Sequence, residues 1–284
     1  MPTTRAKATP VRVEVPETPK KVPMSMTSTD RAIAIEDSAL AGTASHEFLA
    51  DLYTGLGSHR NDFRNLNLYR LIGSLVTGTS VLDIGCGGGA LLTILKRRGH
   101  PAFGLEPNEA LVKAATERDP DLRIFVGTGE DVDQLGRQFA SITIIDVLEH
   151  IEDDMGQLAK IRNALEPGGQ LVVLVPACQA LYGKRDERNG HYRRYSRREL
   201  VDKVRRSGFH IDSARHWNAL GFLPYWFSER VLRRELNGDI RTDKAKSLPK
   251  RLVIRALHAW YRKVENNFDM RFGLSVIVTA TKGE

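Results

Sequence analysis

The chain has 284 residues, 41% of them hydrophobic and 27% charged, with a net charge of +7. This is enough for one large globular domain with additions, and the composition excludes a fibrous or low-complexity protein. No apolar run approaches the ~18–20 residues that span a bilayer. The N-terminus lacks the apolar core of a signal peptide. The two cysteines, Cys86 and Cys178, exclude a disulfide framework or a cysteine-rich zinc site, so a reducing cytoplasm is the expected compartment.

Residues 1–36, rich in Pro, Thr and Lys and without apolar period, are predicted to form a disordered tail. Residues 37–78 read as lead-in helices, with Phe63, Leu66, Leu68, Leu71 and Leu75 at helical spacing. A core over 79–216 then alternates strand and helix. Strands are predicted at Val81–Ile84, Ala102–Leu105, Ile124–Gly127, Ser141–Ile145, Leu171–Val175 and Phe209–Trp217. A seventh at Leu274–Thr281 closes the core over 269–284. Between them, Ala90–Arg98 carries Lys96, Arg97 and Arg98 in its last turn and Gly99 past its end. Asn108 caps the next helix. Asp153 or Asp154 opens another, and Ser196 to Glu199 forms a capping box. Such alternation predicts an α/β fold, a Rossmann-like, doubly wound seven-stranded sheet. Residues 217–268 break the pattern and read as an insertion: an aromatic run from Trp217 to Phe227, then a basic segment. From Arg230 to Lys263 there are eleven Lys/Arg against three Asp/Glu, which accounts for the whole net charge.

The first strand ends in the glycine-rich turn Gly85-Cys86-Gly87-Gly88-Gly89, and Glu106 follows Gly85 by twenty-one residues at the end of the second strand. Gly85-x-Gly87-x-x-Ala90 fits a dinucleotide fingerprint, with Glu106 at the distance of a ribose-binding acid. On this spacing NAD and S-adenosylmethionine are equally served. Asp83, two residues before the first glycine, separates them. A carboxylate there suits a ligand bearing an ammonium or sulfonium charge and is awkward beside a pyrophosphate.

With Asp83, Gly104-Leu105-Glu106-Pro107, Gly129-Glu130-Asp131, Ile145-Asp146-Val147-Leu148-Glu149-His150 and Leu165-Glu166-Pro167-Gly168-Gly169, the chain resembles the class I S-adenosylmethionine-dependent methyltransferases from about Leu71 to Leu174. The resemblance implies a last strand antiparallel to the rest and S-adenosylmethionine as cofactor. It also implies roles: Gly85, Cys86 and Gly87 as backbone floor, Asp83 toward the ammonium group, and Glu106 on the ribose hydroxyls with Pro107 beside the adenine. Glu130 or Asp131 would meet the adenine amine, and Asp146 with Val147 would close the methionine end. Cys86 reads as a small turn residue rather than a nucleophile.

The acceptor side carries less local signal. Asp146, Glu149 and His150 fall at i, i+3 and i+4, which shares one face of a turn, and His150 is a candidate base. The core is similar here to ubiquinone-pathway O-methyltransferases, some of which use such a cluster with a metal. Asp rather than Glu at 146 leaves no metal site expected. The loop Asp186–Ser196 resembles a Gly-His-x-Arg-Arg-Tyr signature of a bacterial subgroup acting in cell-surface polysaccharide, glycolipid and small-metabolite pathways. It makes His191, Arg193, Arg194 and Tyr195 candidates for handling the acceptor, a phosphate or carboxylate suiting the arginine pair. The expected function is methylation, on oxygen, of a small-molecule or lipid- or sugar-linked acceptor. The aromatic and basic stretch 217–263 suits either a cap over the pocket or peripheral contact with the inner face of the membrane. An RNA methyltransferase would explain the basic patch, but Asp146-Val147-Leu148-Glu149 is not a box suited to exocyclic base amines, so nucleic acid is disfavoured. A non-catalytic cofactor-binding partner protein is the third reading, disfavoured by the intact turn and both acids.

Overall fold

The computed structural model describes residues 32–34, 63–228 and 248–283. The predictions for 1–31, 35–62 and 229–247 lie outside the described residues. One mixed sheet organises the molecule. Its strands in chain order are β1 (Ala32–Ala34), β2 (Val81–Ile84), β3 (Ala102–Glu106), β4 (Arg123–Val126), β5 (Phe139–Ile145), β6 (Leu165–Pro176), β7 (Phe209–Trp217) and β8 (Ser275–Lys282). They lie side by side in the order β1-β4-β3-β2-β5-β6-β8-β7. All neighbours from β1 to β6 are parallel, and β8 runs antiparallel between β6 and β7.

The seven predicted strands are all present, the last one antiparallel. Among the described residues the count is eight because Ala32–Ala34 pairs with Ile124–Val126, inside the stretch predicted to be tail. Three residues of Ala-Ile-Ala are too few to show a period of two. What places them is the otherwise unpaired edge of β4.

Helices cover both faces. Here α1 is Phe63–Leu75, α2 Ala90–Arg97, α3 Glu109–Arg118, α4 Asp154–Ala164, α5 Lys184–Arg188, α6 Arg197–Arg206, α7 Phe222–Trp226 and α8 Leu248–Trp260. The two-residue period of β6 shows how one strand serves two cores. Leu171, Val173 and Val175 pack with Leu158 and Ile161 of α4 and Leu200 and Val204 of α6. Val172 and Leu174 pack with Leu68 and Ile72 of α1, Leu95 of α2 and Tyr261. Asn108 accepts from Leu111 N, Asp153 from Gly156 N, and Ser196 from Glu199 N, the last being the Ser196 half of the expected capping box.

Strand order reverses direction at β2 and β5, since β3 lies on one side of β2 and β5 on the other. In such a sheet the crevice beyond the carboxyl ends of these strands is where a ligand sits. The turn after β2, Glu106 at the end of β3 and Asp146 after β5 all open onto it.

Candidate active site

The cofactor half is built almost wholly from backbone. Gly85 (φ 70°), Gly87 (φ 51°) and Gly89 (φ 70°) are all left-handed, a conformation that strains any side chain. Two of these positions have a further reason. A Cβ on Gly85 would drive into Val147 Cγ2, so Val147 lies directly on the turn, and above Gly87 the space is open. Glu106 Oε2 accepts from Gly87 N at 2.8 Å and its Oε1 accepts from Asn108 N at 3.0 Å. The carboxylate is thus fixed while lone pairs remain on both oxygens. Burial raises its proton affinity above the ordinary carboxylate value, against the pull of those two N–H groups.

Asp83 is 3% exposed. Thr143 Oγ1 donates to its Oδ1 at 2.6 Å. Burial pushes this carboxyl up to about 7, with the Thr143 bond opposing the rise and the Glu106 charge adding to it. A buried acid held near neutrality at the mouth of a glycine turn is poised for a cationic partner. Cys86 is structural: burial first, then Asp83 and Glu106, push its thiol well above the usual range, and its sulfur fills the place a Cβ on Gly104 would occupy. The donor set fits S-adenosylmethionine: a floor without side chains, one acid for ribose hydroxyls, and one acid for an ammonium group.

The acceptor half is a side-chain network. Asp146, after β5, is non-glycine with φ 53°, strain of the kind that concentrates at functional sites. Its carboxylate is half-buried and 4.0 Å from Arg64 Nη2, and Arg64 also lies over the Trp217 ring at 5.2 Å. The next turn, Leu148–His150, buries Glu149, whose Oε2 has no hydrogen-bond partner. Burial, and then the Asp146 charge, hold the Glu149 carboxyl well above the usual range. The segment after β6 folds onto this turn: Tyr192 N donates to Glu149 O at 2.8 Å, and His191 packs edge-on against His150, with ring centroids 4.6 Å apart. His191 Nδ1 is 2.9 Å from Asp186 Oδ1, and Arg194 Nε donates to the same oxygen at 2.9 Å. Burial raises the Asp186 carboxyl, but the bonds from His191 and Arg194 outweigh it and hold it below its ordinary value. Glu149, His150 and His191 each offer a ligand atom within 4.8 Å of the others, donors enough for one divalent cation.

The methyltransferase-domain family model matches residues 57–214, more than half of the chain. The chain belongs to this family. By family and fold it falls among the class I, S-adenosylmethionine-dependent methyltransferases. It is 31% identical over 101 residues to the ubiquinone biosynthesis O-methyltransferase of Pseudomonas syringae pv. tomato, covering 34% of this chain and 44% of that protein. The match to the same enzyme of Pseudomonas aeruginosa has the same extent. The chain therefore spans less than half the length of these relatives. Its fold is similar to a methyltransferase of Thermotoga maritima (TM-score 0.56, 18% identity, covering 83% of this chain and 96% of that one). It is likewise similar to phosphoethanolamine N-methyltransferase 2 of Haemonchus contortus, solved with S-adenosyl-L-methionine (TM-score 0.55, 18% identity, covering 84% of this chain and 60% of that one).

Within this chain the sequence-predicted residues separate into two groups. Asp83, Gly85, Cys86, Gly87, Glu106, Asp146 and Val147 gather at one crevice edge, with Pro107 exposed beside Glu106. Of the two adenine candidates, Asp131 is buried. Its Oδ2 accepts from Thr128 N and Oγ1, and its Oδ1 from Gln134; Glu130 stands exposed on the same turn. On the acceptor side His150 and His191 meet. Arg194 is 6% exposed and Tyr195 fully buried. The Arg194 guanidinium is held by Asp186 and by Tyr225 Oη at 2.6 Å. Tyr195 Oη donates to Asp154 Oδ2 at 2.9 Å, and Arg193 pairs with the same oxygen at 2.9 Å. The arginine pair expected to face an anionic acceptor is spent inside the protein. Asp186 and Arg64 escaped the sequence reading. The spacing of Asp186 from His191 carried no period, and Arg64 reaches Asp146 only through the fold.

Proposed function

We propose that the protein transfers the methyl group of S-adenosylmethionine to an oxygen of a small-molecule or lipid- or sugar-linked acceptor, with His191 as general base. The observation that carries this reading is the His191–Asp186 pair at the edge of the Glu149–His150 turn. The named activity of the curated relatives, at 31% identity, also favours oxygen.

Asp83 and Glu106 would hold the ammonium and ribose ends of the cofactor, and Gly85 to Gly87 would lie beneath it. When bound, the cofactor supplies a methyl group on a sulfonium, whose departure as a neutral sulfide leaves positioning as a large share of the catalytic task. A hydroxyl acceptor must also lose its proton. Asp186, held ionised, can only accept, so His191 Nδ1 carries the ring hydrogen and Nε2 keeps its lone pair for the acceptor proton. The same division of labour, an acid fixing the tautomer of a basic imidazole, serves other enzymes.

His191→Ala is expected to lower turnover by about 10²–10⁴-fold, the usual share of a positioned base, with S-adenosylmethionine affinity unchanged by calorimetry. Asp186→Asn should follow it in direction. A lowered cofactor affinity with turnover per bound cofactor intact would remove His191 from this role. Chelation by EDTA separates two chemistries. Unchanged turnover keeps His191 a base, and loss that added Mg²⁺ restores would reassign Glu149, His150 and His191 to a cation.

A further inference from the structure

The insertion between β7 and β8 carries two features that methyl transfer does not use. The first is an apolar stripe. Leu220, Leu223, Trp226 and Phe227, spaced as one helical face over α7 and its flanks, are 39, 65, 44 and 49% exposed. Beside them stands Phe272, 47% exposed, whose ring packs on Phe222 with centroids 5.5 Å apart. On α8, Leu252 and Val253 are also exposed, between Arg251 and Arg255. A monomeric surface rarely clusters this many large apolar side chains without a partner.

The second feature is a groove of about 250 Å³ between α1 and α8, lined by Asn67, Arg70, Arg255, His258, Ala259 and Arg262. Three guanidiniums converge there, and among the described residues no carboxylate lines it. Two acids that follow it in sequence are already committed. Glu265 is fully buried and accepts from Asn218 N, Leu220 N and Trp260 Nε1, and Asp269 pairs with Arg197. Among the described residues the groove is therefore basic and unopposed. The two features are tied at one point: Leu220 N, at the root of the stripe, and Trp260 Nε1, at the end of α8, donate to the same oxygen of Glu265 at 3.0 and 3.2 Å.

We infer that this face docks on an anionic phospholipid surface, with Leu223, Trp226 and Phe227 entering the headgroup boundary and the Arg70–Arg255–Arg262 groove taking lipid phosphate. Aromatic side chains prefer that boundary, and an unopposed basic groove is complementary to anionic headgroups. The placement has a consequence for the site. β7 runs parallel to β6, so its end at Trp217 lies at the same carboxyl edge as Asp146, and Arg64 joins the two by touching both. The docked face adjoins the acceptor half, and an acceptor carried by the membrane would reach it without leaving the lipid.

The test is flotation of the purified full chain with vesicles of phosphatidylcholine alone and of phosphatidylcholine with phosphatidylserine, at low and high salt. Binding is expected to the mixed vesicles only, and to be lost at high salt. Arg70→Gln/Arg255→Gln/Arg262→Gln should weaken it by roughly a hundredfold, at about fivefold for each basic residue removed. Leu223→Ser/Trp226→Ser should abolish it with S-adenosylmethionine binding retained, which shows that the variant is folded. Absence of flotation by the wild type, equal binding to phosphatidylcholine alone, or full binding by either variant would overturn the inference. So would a wild-type dimer that Trp226→Ser dissociates, or an RNA shift lost in the arginine variant without vesicle binding. Flotation needs no turnover, so its failure is distinct from failure of His191 as base.

Discussion

The two halves of the active site are built by different means. The cofactor half takes its groups from residues 81–106: two strand ends, three left-handed glycines and two acids, with the backbone doing most of the contacting. The acceptor half draws Arg64, Glu149, His150, Asp186 and His191 from α1, the turn after β5 and the segment after β6, with Asp146 standing between the two halves. Its groups meet only because the fold is complete. The first half is stiff and general, since any acceptor needs the same donor. The second is a network of charged side chains whose partners can be exchanged one by one, and that is where a family can change its substrate.

The sharpest way to break this contrast is at Asp83, where the cofactor half works against stability. Its carboxyl binds a proton more tightly folded (about 7) than in its ordinary state at 3.8. A folded-state pKa above the unfolded one gives stability that is fully present below the unfolded value and lost as pH rises through the folded one. Without ligand, the protein should therefore lose stability between pH 4 and 7. Above that window the ionised Asp83 costs up to about 4 kcal/mol, at 1.36 kcal/mol per unit. Asp83→Asn should remove this slope in denaturant melts run from pH 4 to 8 and raise the melting temperature at pH 8, while weakening S-adenosylmethionine binding. An unchanged pH slope would show that Asp83 is ionised at little cost. Binding of a cation there must also release protons, so wild-type affinity should rise from pH 6 to 8 in calorimetry.

Next in size is Glu106. It accepts two N–H bonds from its own turn and is the expected partner of the ribose hydroxyls. Glu106→Ala should cost about 1.5–3 kcal/mol of cofactor binding, the range of hydrogen bonds to a charged group, or roughly 10–100-fold in affinity. His191→Ala should leave that affinity alone. A double mutant whose effects on affinity and on turnover add would show the halves to be independent, and coupling beyond about 0.5 kcal/mol would join them.

The contrast also accounts for what was legible before any coordinates. The glycine turn, Asp83 and Glu106 stand at fixed distances along one strand-turn-helix unit, so local sequence suffices. Strands such as Val81–Ile84 and Leu171–Val175 were legible for a similar reason: their β-branched and leucine runs stand beside Gly or Pro. Ala32–Ala34 was not, because pairing alone makes it a strand. In the acceptor half the residue types were legible and their partners were not. His191 and His150 are forty-one residues apart in sequence, and nothing local announces that their rings touch. The dense donors of 191–195 suggested anion recognition. Four of those donors, His191, Arg193, Arg194 and Tyr195, in fact close a network on Asp186 and Asp154, two buried acids whose burial the sequence does not display.

The smallest expected effect tests that network. Tyr195 is fully buried, and Asp154 keeps Lys203 Nζ at 2.7 Å and Arg193 at 2.9 Å when the phenol is removed. Burial, with the nearby Asp154 charge, pushes the phenol far above its ordinary range, in keeping with its donating to Asp154. Tyr195→Phe should therefore destabilise by about 1 kcal/mol, the net worth of one hydrogen bond, read as a small fall in melting temperature. Turnover and cofactor affinity should both hold, because the segment is still pinned by Tyr192 N on Glu149 O and by Arg193 on Glu152 O. A turnover loss of tenfold or more in a folded Tyr195→Phe would place the phenol in the acceptor site. It would also mean that the segment opens during the reaction, since no acceptor reaches Tyr195 while it is packed as it stands.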